Sequence, residues 1–67
     1  MVTEITLTPE EILRQALAKE RAAFSYYDGM LKATSIEVIK DLLQDLKNEE
    51  YKHIKMIESR LARLTVG

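Results

Sequence analysis

Sixty-seven residues allow one domain at most, near the size at which a lone hydrophobic core barely balances the entropy lost on folding. The absence of cysteine excludes a disulfide framework and a thiolate zinc site, leaving oligomerisation, or a metal held by oxygen and nitrogen, to supply the missing stability. Ten basic and eleven acidic residues are interspersed to a net charge of -1, which excludes a basic stripe for nucleic acid or anionic lipid; with no long apolar run for a membrane span or signal peptide, a cytoplasmic protein is expected.

Residues 1–8 alternate apolar and polar side chains over too short a stretch for a stable strand, so they are expected to form a loose arm. Thr8-Pro9-Glu10-Glu11 predicts a helix start: Thr8 caps, Pro9 suits the first helical position, Glu11 completes a capping box, and Leu7 and Ile12 stand where a hydrophobic staple lies. From there Leu13, Ala16, Glu20, Ala23, Tyr27 and Met30 recur at steps of three and four, with Leu17, Phe24 and Leu31 widening the stripe. The first helix is therefore predicted over 9–33, running through Gly29 to a second capping box at Thr34-Ser35-Ile36-Glu37. The second helix, predicted over 35–64, carries Ile39, Leu43, Leu46, Glu50, His53, Ile57, Leu61 and Leu64 on its seam. Met30 and Met56 read as gap-fillers.

Three polar residues thus stand on seams that otherwise ask for leucine. A short connection makes the helices antiparallel neighbours, so residues equally far from a turn centred between Thr34 and Ser35 lie level. Glu20 then falls opposite Glu49 and within about 1.5 Å of the level of Glu50, while His53 falls opposite Ala16. Ending the first helix at Gly29 instead would shear this layer by roughly 9 Å. Two carboxylates and an imidazole in an apolar interior cost several kcal/mol unless paired or coordinated, and Lys19, Arg21 and Lys52 lie off the seam. A single hairpin also leaves its apolar stripe wet. A two-fold partner would cover it, building an all-α four-helix bundle in which Glu20, Glu50 and His53 of both chains meet. One glutamate from each of two helices plus Glu-x-x-His from each of the other two is the ligand set of di-iron carboxylate bundles.

On these residues, Glu20 with Tyr27 in "KERAAFSYYDG" and Glu50 with His53 in "NEEYKHIKMI", the chain resembles the ferritin-like superfamily in its rubrerythrin branch, and most of all its half-size, two-helix encapsulated ferritins. The resemblance implies a homodimer or larger ring and two Fe ions per subunit pair, with Mn or Zn as substitutes. It further implies Glu50 as the bridging ligand, Glu20 and His53 as terminal ligands, Tyr27 as a donor to a ligating carboxylate, and oxidation of Fe(II) to Fe(III) with O2 or peroxide. Those relatives flank the first glutamate with further acids; Lys19 and Ala22 stand there here, so no auxiliary iron site is expected. Leu64 to Gly67 is similar to the start of the tail that directs cargo into encapsulin shells, which would place the chain in a nanocompartment; Gly67 as a helix terminator is the plainer reading.

Glu-x-x-His by itself is a weak signal, and its weight here comes from the seam position level with Glu20. Glu49 reads as a solvated neighbour. Two rival functions stay open: a rubrerythrin-like peroxide reductase, whose electrons must come from another protein because no cysteine is present for a rubredoxin centre, and a metal-free oligomerisation module whose polar layer only fixes register. Bound metal per chain separates the last from the others.

Overall fold

The computed structural model describes residues 6–65, which fold as two packed helices, α1 over Pro9–Lys32 and α2 over Glu37–Thr65. Residues 1–5 of the expected arm, and Val66 and Gly67 of the tail, lie outside the described residues; Thr6 to Thr8 carry no regular structure.

α1 begins as its sequence dictates. The Thr8 hydroxyl accepts the Glu11 amide at 3.1 Å, the Glu11 carboxylate accepts the Thr8 amide at 3.0 Å, and Pro9 fills the first helical position. The reciprocal backbone and hydroxyl bonds from Thr8 hold the Glu11 carboxyl below its usual pKa. Leu7 is half-buried, but Ile12 remains exposed. Nothing lies near enough to Gly29 to demand a missing side chain, and α1 runs through it to Lys32, with the Ala33 amide bonding back to the Met30 carbonyl.

The second start corrects the expectation. The Thr34 hydroxyl accepts the Ile36 amide at 3.2 Å, two residues on, in place of the Glu37 amide that a capping box requires. Ile36 takes the cap position, its carbonyl accepting the amides of Ile39 and Lys40, so α2 starts at Glu37 rather than 35 and runs to Thr65 rather than 64. A hydroxyl engaged in a local turn is no longer free to cap. The connection still spans 33–36, and its centre remains between Thr34 and Ser35.

One layer of two helices cannot enclose a core. The chain measures 48 × 36 × 13 Å with a radius of gyration of 15.9 Å, against about 11 Å for a compact domain of this length. Among the described residues only Leu17 and Ile54 are buried, whereas Met30, Val38, Ile39, Leu42 and Met56 are exposed. Both methionines assigned to gap-filling therefore face outward in the single chain. No described helix is long and apolar enough to cross a membrane.

Charged and aromatic contacts fasten the closed side of the hairpin. Lys47 bonds Asp28 at 2.8 Å and Arg21 bonds Glu58 at 2.9 Å across the helices. Phe24 meets Tyr51 with ring centroids 6.4 Å apart, and the Lys47 ammonium sits 5.3 Å from the Phe24 centroid. Lys47 and Lys32 hold the Asp28 carboxyl below its usual pKa, and Arg21 and Lys55 do the same for Glu58.

Candidate metal centre

The cross-helix contacts are displaced in one direction but by different amounts, from two residues for Phe24 with Lys47 to ten for the long side chains of Arg21 with Glu58. Counted outward from the turn, Glu20 is level with Glu49, yet its carboxylate meets His53, four residues further along α2. Asp28 and Phe24 each meet a residue six further along, Lys47 and Tyr51. Helical side chains lean towards their own N-terminus, which points away from the turn on α1 and towards it on α2. The two leans add. A lean of about 3 Å on each helix accounts for an offset of four residues at 1.5 Å per residue. The lean brings the His53 imidazole to the Glu20 carboxylate, and the three polar seam residues gather.

Glu20, Glu50 and His53 each offer one ligand atom, all within 4.8 Å of one another. His53 Nδ1 stands 3.6 Å from Glu20 Oε2 and 3.6 Å from Glu50 Oε2, too far for hydrogen bonds but within ionic reach. Ligand atoms around one ion at about 2.1 Å lie roughly 3.0 to 4.2 Å apart, so closure by a few tenths of an ångström would bring the group to coordination distance. Glu50 Oε2 is buried with no hydrogen-bond partner. A carboxylate oxygen in that condition has lost water without gaining a donor, and a cation would restore what it lost. Two oxygens and one imidazole nitrogen suit Fe, Mn or Zn.

Burial across the group is graded: the side chains of Glu50, Glu20 and His53 are 17%, 30% and 43% exposed. The group therefore opens away from α1 and α2, on the side that also carries the exposed Met30, Ile39 and Leu42.

The neighbours divide as the residue types suggest. Glu49 is exposed and paired with Lys52 at 3.2 Å, and Arg21 is held by Glu58, so neither cation neutralises the cluster. Tyr27 is half-buried and contacts Tyr26 edge-on at 5.5 Å, and among the described residues it donates no hydrogen bond to Glu20 or Glu50. What sequence reasoning missed is the closed side, Asp28 with Lys47 and Phe24 with Tyr51, whose only signal was helical spacing at the offset set by side-chain lean. The last turn of α2 includes Leu64 and Thr65, with the Thr65 hydroxyl donating to the carbonyls of Leu61 and Ala62.

No protein-family model matches the chain, and no solved structure matches it. It is 38% identical over 55 residues to an uncharacterized protein of Archaeoglobus fulgidus, an alignment covering 82% of this chain and 86% of the archaeal one. The chain belongs to the same family as that protein.

Proposed function

We propose that two copies of this chain join their open sides into a ferritin-like four-helix bundle and act as a ferroxidase, with Fe(II) as substrate and O2 or peroxide as electron acceptor. The observation that carries this reading is the buried, donorless Oε2 of Glu50 within ligand distance of Glu20 and His53. A register device made of hydrogen bonds would have satisfied that oxygen.

The chain's own residues supply binding and charge balance. Glu20 and Glu50 of two chains carry four negative charges, which match two divalent cations; His53 contributes a neutral nitrogen from the most exposed corner of each group. Glu50, the most buried of the three, would hold the metal from the interior of the layer, and its bridging place is what the resemblance implies. Iron bound there supplies the electrons that reduce the oxidant, passing from Fe(II) to Fe(III). The exposed apolar flanks of both helices would be covered by the partner, excluding water from the layer. As part of the same proposal, Leu64 to Gly67 directs the chain into an encapsulin shell; copurification with a shell protein that survives deletion of the tail would refute that extension.

The test compares Glu20→Ala, Glu50→Ala and His53→Ala with Lys52→Ala, whose side chain is 70% exposed and paired to Glu49. The first three should abolish Fe(II)-dependent oxygen uptake and lower bound iron per chain, and Lys52→Ala should match the parent. Parent-like uptake in Glu20→Ala would break the reading, because Glu20 joins the group only through the cross-helix alignment.

A further inference from the structure

The open face repeats itself in reverse. Counting about 100° per residue, Ala16, Ala23 and Tyr27 stand within about 60° of Glu20 on one flank of α1, and the exposed Ile12 and Met30 within about 80°. Leu17, Phe24 and Asp28, which pack on α2, occupy the other flank. On α2, Leu46, His53, Ile57 and the exposed Ile39 and Leu64 stand within about 60° of Glu50, away from the Lys47 and Glu58 that bond α1. Each row mirrors itself about a midpoint. About the point between Arg21 and Ala22, Glu20 exchanges with Ala23, Ala16 with Tyr27 and Leu13 with Met30. About the point between Tyr51 and Lys52, Glu50 exchanges with His53, Leu46 with Ile57 and Ile39 with Leu64. The two midpoints stand level in the hairpin, because each is about a residue and a half nearer the turn than Glu20 and His53, whose side chains meet.

We infer that a second copy lies reversed on this face, its turn at the far end, with α1 against α1 and α2 against α2 about a two-fold axis through that level. The inference rests on the two-chain part of the proposed function and adds the orientation and register of the pair. A two-fold axis crossing an antiparallel helix pair sets each residue against its mirror position. Glu50 of each chain then faces His53 of the other, carboxylate against imidazole, so each metal group draws on both chains. Ala23 faces Glu20 and leaves room for a coordinated carboxylate, and Ala16 receives the Tyr27 ring, small against large. Ile39 covers Leu64, and Ile12 comes within about 1.5 Å of the level of Met30, so side chains exposed in the single chain cover one another. The polar layer lies near the middle of both Pro9–Lys32 and Glu37–Thr65, and the reversed copies therefore overlap along their length.

The other face-to-face arrangement lacks this match. It has both turns at one end and α1 of each copy against α2 of the other. At the offset that joins Glu20 to His53, Ile12 would fall beside Arg60, and Tyr27 would meet Leu46, large against large. Ile39 would stand level with Thr34, beyond the end of α1, and stay wet.

Orientation is read from one distance. Ser35, exposed in the connection, is replaced by cysteine in a chain that has no other, and a nitroxide is attached. The label-to-label distance is measured by pulsed electron paramagnetic resonance with Zn(II) added, after circular dichroism has matched the helicity to the parent. Reversed copies put the two turns about 45 Å apart, twice the roughly 15 residue rises from the turn to the layer. Copies with both turns at one end put them within about 20 Å. A distance in that shorter range overturns this inference alone, whereas a chain that stays monomeric with Zn(II), and so shows no distance, overturns it together with the two-chain reading. Disulfide trapping gives the register: an Ile12→Cys chain should cross-link to a Met30→Cys chain, and neither to itself, like positions being at least about 25 Å apart along the axis. Cross-linking of Met30→Cys to a Leu42→Cys chain instead would refute the reversed order.

Discussion

Replacing Glu50 by leucine should raise the stability of the metal-free protein while removing its response to metal. Glu50 Oε2 is buried without a donor, and the side chain is 17% exposed, so most of the carboxylate's lost hydration is uncompensated when no cation is bound. An unsatisfied buried polar group costs about 1–3 kcal/mol, and leucine, of similar size, relieves that cost while adding apolar surface to a sparse core. For a domain of this length 1 kcal/mol moves the melting midpoint by about 4–8 °C, so Glu50→Leu should melt at least about 4 °C above the parent in excess chelator. Metal should invert the order: at a hundred times its dissociation constant a ligand adds about 2.7 kcal/mol to the parent, and the variant has lost the central carboxylate needed to collect it. Thermal melts followed by circular dichroism, at one protein concentration with chelator and then with Zn(II), read both limbs. A Glu50→Leu chain that melts below the parent in chelator, or a parent whose midpoint ignores metal, would refute the assignment of Glu50 Oε2 as an oxygen waiting for a cation.

Leu17→Ala and Ile54→Ala should each cost about 2–5 kcal/mol in urea titrations, because these are the two buried side chains between α1 and α2; a loss below 1 kcal/mol would show that the helices are held chiefly by another surface. Thr8→Ala should cost about 1 kcal/mol by removing one arm of the capping box, and Thr34→Ala, whose hydroxyl serves only a local turn, should cost less; the reverse order in the same titration would contradict the cap assignment. The carboxyls of Asp28 and Glu58 lie below their unfolded values in the folded chain, so the stability they confer is complete above the ordinary carboxylate range and is lost as pH falls through their folded values. Melting midpoints should therefore drop below about pH 4.5, and Asp28→Asn should lie below the parent at pH 7 and converge with it in acid; a difference that is constant with pH would assign the effect to packing.

Two helices, a break near Thr34 and a polar layer made of Glu20, Glu50 and His53 could be read from the residues because each depends on signals within a few positions. The Thr8 box closes over three residues, the seams repeat every three or four, and the short connection fixes the antiparallel partnership. Tertiary structure alone decided the rest. Thr34 had two geometrically open bonds, and the backbone path between α1 and α2 selected the turn over the cap. Side-chain lean, invisible in a list of levels, brought His53 to Glu20 and set Asp28 on Lys47. Which carboxylate oxygen lost its donors depends on the combined shadow of both helices on a single atom, and so it fell to packing, not pattern, to single out Oε2 of Glu50.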